Sequence, residues 1–187
     1  MTYPPPPSAG EEGEEEEENP GDTYTGHMEH GVRHGRGRYT FGAGGAVYEG
    51  IYAAGRRAGR GVMKFPDGGI YEGGWAEDAM DGEGTYTYKG GDTYSGGFRA
   101  GKKEGAGVYH CKADGAQYHG TWAGGELAEG RFVHRDGSMF AGAFEASKPV
   151  QGTHYFSGSG LLQSGTYGAG GAWRGGEVTV GSATMLL

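Results

Sequence analysis

The chain has 187 residues, of which 44 are glycine and only 35% are hydrophobic. Glycine at this level without a period of three excludes a collagen triple helix, and the single cysteine, Cys111, excludes an internal disulfide framework and a cysteine metal site. The net charge is −8, but seven glutamates lie between residues 11 and 18. The remainder is therefore close to neutral and offers no strongly cationic face for nucleic acid.

The first predicted element is an acidic leader over residues 1–21. It joins a proline run at 4–7 to the glutamate block, a combination that predicts a disordered, solvated segment. We interpret it as a solubilising tail, with docking to a basic partner as the alternative. The leader has neither the basic start nor the apolar stretch of a signal peptide, so we expect an intracellular, reducing setting.

A module of about 23 residues follows and recurs six times. Its lead position carries Tyr24, Tyr48, Tyr71, Tyr94, Tyr118 and Phe140, and a partial seventh copy begins at Gln163. A fixed period of this length predicts a repeat array rather than a compact domain. We assign the array to residues 22–170 and expect residues 171–187 to be a C-terminal tail or a final strand.

Each module predicts a β-hairpin. In the second copy, two sets of residues recur at every second position and so share one face of a strand: Tyr48, Gly50 and Tyr52, and then Gly59, Gly61, Met63 and Phe65. A short turn is predicted at 55–59, and Asp67-Gly68 predicts the turn to the next hairpin. The fold class expected is therefore all-β: an elongated, single-layer antiparallel meander of hairpins, forming an open twisted sheet.

Aromatic residues pair four positions apart in successive modules. Eight positions form this aromatic ladder: Tyr48, Tyr52, Tyr71, Trp75, Tyr94, Phe98, Tyr118 and Trp122. We interpret the ladder as core, with the glycines leaving room for rings to lie over bare backbone. Contact with a partner at the open rim is the alternative, because tyrosine hydroxyls there remain able to hydrogen bond.

Basic residues recur near the predicted turns. This basic ridge consists of Arg33, Arg56, Arg57, Lys102 and Lys103. Modules three and five lack these charges and interrupt the ridge. It is interpreted either as protection of a sheet edge against aggregation or as a surface for anionic lipid or an acidic protein.

The last modules depart from the pattern. Module five has Ala128-Glu129-Gly130 in place of Gly-x-Gly and is one residue short, which we place in its turn. Module six has Ser147-Lys148-Pro149 where a glycine turn is expected. Terminal repeats commonly diverge because they cap the array or meet another molecule.

No motif predicts catalysis. The Gly-x-Gly pairs lack the lysine of a phosphate-binding loop, nothing resembles a nucleophile elbow, and the seven histidines recur at no fixed position of the repeat, so they do not predict a metal site. No run approaches the ~18 apolar residues of a membrane span. We therefore assign no catalytic, cofactor-binding or metal residue and expect a protein that is not an enzyme and binds no cofactor or nucleic acid.

Segments such as Tyr71-Glu72-Gly73-Gly74-Trp75 and Gly59-Arg60-Gly61 closely resemble the MORN repeat (membrane occupation and recognition nexus). The resemblance is strong over about 24–145 and weaker over about 146–170. It implies elongated single-layer sheets of β-hairpins that serve mainly as scaffolds and protein-binding modules. The link of the family to membranes is less general.

Features outside the repeat add a narrower resemblance. The acidic leader running into Gly21-Asp22-Thr23-Tyr24, the basic run at 33–38, Lys148-Pro149-Val150 and Gln163-Ser164-Gly165-Thr166-Tyr167 are similar to MORN proteins of the ciliary radial spoke head. This implies a structural role in the axoneme, with other spoke head proteins as partners. Open sheet edges also predict self-association or pairing with a paralogue. A peripheral membrane adaptor, contacting anionic phospholipid through the basic ridge, is the rival hypothesis.

Overall fold

The computed structural model describes residues 12–14, 21–42 and 44–186. These residues form one sheet of fifteen antiparallel strands, in which every strand pairs with its neighbours in chain order. The strands are β1 (Glu12–Glu14), β2 (Thr23–Glu29), β3 (Val32–Thr40), β4 (Val47–Ala53), β5 (Arg56–Lys64), β6 (Ile70–Ala76), β7 (Ala79–Thr87), β8 (Thr93–Arg99), β9 (Lys102–His110), β10 (Gln117–Ala123), β11 (Glu126–Val133), β12 (Met139–Glu145), β13 (Lys148–Phe156), β14 (Leu161–Tyr167) and β15 (Trp173–Val180). A short 3-10 turn follows at Ala183–Leu186.

The predicted fold class is confirmed. The sheet is a single-layer meander that does not close on itself, and β1 and β15 are its two edges. Part of the leader, Glu12–Glu14, pairs with β2, whereas residues 1–11 and 15–20, where disorder is predicted, lie outside the described residues. Within the segment predicted as a tail or final strand, Trp173–Val180 is a strand.

Strands β2 to β13 form the first six hairpins of the array, beginning with β2–β3, and a two-residue turn joins the two strands of each hairpin. The turn pairs are His30-Gly31, Ala54-Gly55, Glu77-Asp78, Ala100-Gly101, Gly124-Gly125 and Ala146-Ser147, all with positive φ at both positions. Positive φ at both positions characterises the type I′ turn, whose twist matches that of the flanking strands. The turn predicted at 55–59 is therefore wrong, since the turn is 54–55 and the next strand begins at Arg56.

The Gly-x-Gly motif forms a β-bulge. Gly50 pairs with Gly61, but the next residue, Ile51, pairs with Ala58, so β5 carries two extra residues. Gly59 takes a φ of 58° there, which glycine adopts without strain. The first four array hairpins share this two-residue shift.

The fifth array hairpin has a smaller bulge. Thr121 pairs with Glu129 and Trp122 with Leu127, which leaves one extra residue instead of two. Its turn still has two residues, 124–125. The residue missing from module five is therefore lost from the bulge, and its predicted loss from the turn is wrong.

A column of glycines crosses the whole sheet, with one member on every strand. Its members are Gly13, Gly26, Gly37, Gly50, Gly61, Gly73, Gly84, Gly96, Gly107, Gly120, Gly130, Gly142, Gly152, Gly165 and Gly175. A side chain at this column would collide with the core, since a Cβ on Gly61 would lie 2.6 Å from Cζ of the Tyr48 ring. The tyrosine rings thus lie over bare backbone, as the sequence predicts.

The core occupies one face of the sheet, here called the aromatic face, which carries the lead tyrosines. Tyr48, Tyr71 and Tyr94 are fully buried there, and Phe140 continues the row with 1% exposure. The opposite, polar face carries the residues between them, such as Arg38, Glu49 and Glu72. Because no second layer covers either face within the described residues, all burial comes from side chains of neighbouring strands.

Candidate interaction surfaces

The lead tyrosines are held at both ends. The Tyr48 hydroxyl donates to the carbonyl oxygen of Ile51 at 3.0 Å, and Tyr71 donates in the same way to Gly74 at 2.9 Å. Each ring meets the next hairpin edge-on, with the Tyr48 and Trp75 centroids 5.1 Å apart at 80°. Burial raises the pKa of Tyr48 to about 12. These hydroxyls remain protonated and donate to the backbone.

The aromatic ladder lies in the core and not at an open surface. Seven of its eight members are buried, with exposures between 0% and 6%. Tyr118 is the exception, being half-buried and stacked on Phe132 with centroids 4.4 Å apart. The structure therefore brings the ladder together as packing and leaves little of it for a partner.

A second group of aromatic residues is more accessible. We call it the aromatic rim; it lies near the loops between hairpins and consists of Phe41, Phe65, Tyr86, Tyr88, Tyr109, Tyr118 and Phe132, all partly buried against the core. Phe65 stacks on Tyr86 at 5.5 Å, and Tyr88 contacts Tyr109 at 5.6 Å. Of these residues, only Tyr118 is among the sites predicted from the sequence, as a member of the aromatic ladder. The sequence signal for the rim is the aromatic residue that recurs at or just after the end of the second strand of a hairpin.

Aspartates fix the loops beside the rim. Asp92 accepts from the Tyr109 hydroxyl at 2.7 Å and from the backbone N–H of Lys112 at 2.9 Å. The bond from Lys112, and then that from Tyr109, lower the pKa of Asp92. Asp22 holds Tyr39 and Gly42 in the same way. Tyr109 of the rim, and Tyr39 beside the rim residue Phe41, are thus held in place by loops of their own chain.

Three members of the basic ridge lie on the aromatic face. The Arg57 guanidinium carbon is 4.6 Å from the Trp75 ring centroid, and the Lys103 ammonium is 4.0 Å from that of Trp122. Arg33 lies 4.8 Å from Tyr39. Burial lowers the pKa of Lys103. These cations cover rings of their own sheet.

The other two members have a different environment. Arg56 and Lys102 are exposed and alternate with the buried-side cations along their strands. Arg56 also pairs with Glu77, and Arg57 with Asp78 at 3.1 Å. The five residues thus share one row beside the tight turns, but they divide between the two faces and do not form a continuous cationic edge.

The polar face has two shallow depressions. One, of about 670 Å³, lies over β2–β6 and is lined by Arg38, Glu49, Arg60, Lys64 and Glu72, among others. The second, of about 690 Å³, lies over β5–β9. Both mix charges of opposite sign. Such a surface fits a polar protein partner better than a uniformly charged ligand.

Among the residues with described positions, no group of three or more His, Cys, Asp or Glu side chains could hold a metal ion. Within the same residues, no helix has the length and apolar character needed to cross a membrane.

Comparison with known proteins identifies the repeat. The MORN repeat family model matches residues 24–46, 48–70, 71–93 and 94–115, which correspond to the four array hairpins with the two-residue bulge. This is a non-enzymatic repeat family. No curated protein matches the chain. One similar solved structure is the G-box domain of the microcephaly protein CPAP, for which a role in centriole elongation is suggested; it has 12% identity and a TM-score of 0.47, over 84% of this chain and 81% of that one.

Proposed function

We propose that this chain, which carries four MORN repeats, is a non-catalytic scaffold that binds other proteins in the ciliary axoneme, as a subunit of the radial spoke head. MORN repeats by themselves indicate a protein-interaction or membrane-binding protein. The narrower assignment is supported by the resemblance of the leader, the basic run and the C-terminal segments to spoke head MORN proteins of the head-protein-one type. Its partners would be other spoke head subunits.

The observation that carries the scaffold proposal is the single-layer sheet. Each hairpin contributes the same rim and polar positions. These positions repeat every ~10 Å along the sheet, because a hairpin has two strands and neighbouring strands lie ~4.8 Å apart. A rigid row of equivalent positions suits a protein that holds several subunits in register. In the spoke head this would support the relay of mechanical signals between the central pair and dynein.

Fractionation of motile cilia tests the axonemal proposal. A tagged copy is followed after mild detergent removes the membrane. We expect retention with the microtubule axoneme and release at high salt together with spoke head proteins. Absence from motile cilia, or release with the detergent-soluble fraction, would contradict the assignment.

A matched pair of variants tests the rim as the docking surface. Tyr88→Ala removes a rim ring, and Lys89→Ala changes the adjacent exposed loop residue. We expect Tyr88→Ala to lower retention in the axoneme and Lys89→Ala to leave it unchanged. Equal retention of both variants would exclude the rim around β7 as a contact.

A peripheral membrane adaptor is the second candidate, favoured by the exposure of Arg56 and Lys102 on the same side of the sheet. Against it, Arg57 and Lys103 cover aromatic rings of the sheet itself. If the candidate is correct, purified protein binds vesicles containing phosphoinositide at low salt, and Arg56→Glu with Lys102→Glu abolishes binding. Failure of the unaltered protein to bind such vesicles removes this candidate.

A further inference from the structure

The C-terminal edge of the sheet is a long strand with exposed valine side chains. Within the described residues, β15 pairs with β14 alone, and it runs for eight residues. Val178 is 51% exposed and Val180 is 84% exposed. The strand contains neither proline nor lysine, the residues that commonly protect such edges from pairing.

The N-terminal edge differs. There β1 is the outermost strand and has only three residues, Glu12–Glu14. A short edge strand with two acidic residues in its sequence is a poor template for further pairing. Within the described residues, β15 is therefore the longer of the two edge strands, with eight residues against three.

Among the described residues, the chain after β15 turns back toward β14. A Cβ on Gly181 would lie 2.7 Å from the Met185 sulfur and still closer to a side-chain carbon of Leu162. Leu162 lies on β14, where it pairs with Tyr155 and Thr179 on the polar face. No described strand pairs with the outer edge of β15.

The sequence of β15 is complementary to itself. A bulge places Trp173 opposite Tyr167 and Val178 opposite Gln163, and because Gln163 and Tyr167 are four residues apart, Trp173 and Val178 share the aromatic face. If two β15 strands pair antiparallel about Gly175-Gly176, Trp173 of one copy faces Val178 of the other. Arg174 then faces Glu177, and both are exposed in the single chain.

We propose that β15 is a homodimerisation edge, at which two copies of this chain join their sheets by antiparallel β15–β15 pairing. An antiparallel pair of identical strands has the two-fold symmetry of most homodimers, and the backbone supplies hydrogen bonds of the kind used in strand addition. The two Arg174–Glu177 pairs set the register. Each copy contributes its single β15 strand to the pair, so a third copy cannot join at the same edge. This proposal stands independently of the axonemal role.

The test is the dimer dissociation constant of the full chain by sedimentation equilibrium. Arg174→Glu places like charges opposite each other twice, and we expect about tenfold weaker association. Arg174→Glu combined with Glu177→Arg restores opposite charges in the same register and should recover the original constant. Arg99→Glu, an equally exposed change on the central strand β8, should have no effect.

Val178→Lys places a lysine on the edge strand, which opposes strand pairing, and we expect this variant to be monomeric. Its circular dichroism should be unchanged, because the Val178 side chain is half exposed. A chain that is monomeric at ~100 µM, well above the range of stable dimers, overturns the proposal. It is equally overturned if the double variant remains as weak as Arg174→Glu, or if Arg99→Glu weakens association to the same extent.

Discussion

At the residue scale, the fold depends on the contact between a tyrosine ring and a glycine pair. The lead tyrosine of one strand covers the glycine of its own strand and that of its partner, as Tyr71 does for Gly73 and Gly84. Its hydroxyl then satisfies a carbonyl oxygen next to the bulge. Ring, glycine and bulge are thus one unit, and each is unfavourable without the others.

Gly61→Ala tests the close contact under Tyr48. The new methyl would lie 2.6 Å from the ring, so ring or backbone must shift, and we expect a loss of about 2–3 kcal/mol in the free energy of unfolding. Gly90→Ala is the matched control, because a Cβ there has no atom within 4 Å and φ is not positive. Urea denaturation measures both. Equal stability of the two variants would contradict the proposed contact.

Tyr71→Phe tests the hydroxyl bond alone. The change leaves the ring and removes the donor to the Gly74 carbonyl oxygen, and we expect a loss of about 1 kcal/mol. Tyr118→Phe is the comparison, since the Tyr118 hydroxyl makes no hydrogen bond to another described residue. Should both variants lose the same stability in urea, the hydroxyl bond would have no specific role.

The hydrogen bonds of Asp92 predict that the stability of the folded protein depends on pH. The folded-state pKa of Asp92 is lowered by the bonds from Lys112 and Tyr109, so its stabilisation is present above the unfolded pKa of about 3.9 and is lost as the pH falls through the lower folded value. Asp92→Asn should therefore lower the melting temperature at pH 7 and lessen the fall in acid. Glu145→Gln, at an exposed strand end, should do neither.

At the element scale, the hairpin is the repeating unit, and hydrogen bonds from its tight turn connect it to the preceding hairpin. The backbone N–H of Gly55 donates to the Arg33 carbonyl oxygen at 2.9 Å, and Gly101 donates to Met80 at 2.9 Å. The turn of each hairpin thus continues the ladder of the preceding one. Residues in these turns must keep positive φ without losing these bonds.

Ala54→Asn tests the turn geometry. Ala54 has a φ of 48°, which costs alanine more than asparagine, and Asn-Gly is the preferred pair for such turns. We expect a gain of about 0.5–1 kcal/mol in the free energy of unfolding. Ala53→Asn, one residue earlier in the strand, should give no gain. A loss at position 54 would contradict the assigned turn.

At the scale of the whole molecule, stability is divided along the array, because each hairpin contacts only its neighbours. The fully buried tyrosines belong to β4, β6 and β8, whereas seven of the eight residues of β15 are exposed. The centre of the array should therefore open least often and the C-terminal edge most often.

Amide hydrogen exchange measures this gradient. We expect the slowest exchange in β4–β9 and the fastest in β15, because local opening is easier where few side chains are buried. If β15 pairs with a second copy, its exchange should slow at high protein concentration and stay fast in Val178→Lys. Uniform protection along the chain would contradict the description as independent neighbouring units.

Several features follow from the sequence by itself. The period sets the number of hairpins, alternation assigns Tyr48 and Tyr52 to one face, and the glycines mark where rings cover the backbone. These features are local and repeated, so each copy gives the same information. The position of Arg57 on the aromatic face could also have been predicted, because Arg57 continues the alternation of Gly59, Gly61 and Met63. The assignment of residues 55–59 to a turn prevented this prediction.

Only the tertiary structure decided the rest. The two-residue bulge depends on which residue of β4 pairs with which residue of β5, and local sequence does not specify that pairing. It allows Arg57 to lie across from Tyr52, over the ring of Trp75. In the same way, the exposure of the rim and of β15 depends on which strand packs beside each of them. Local periodicity therefore determined the hairpins, whereas cross-strand register determined which of their side chains a partner can reach.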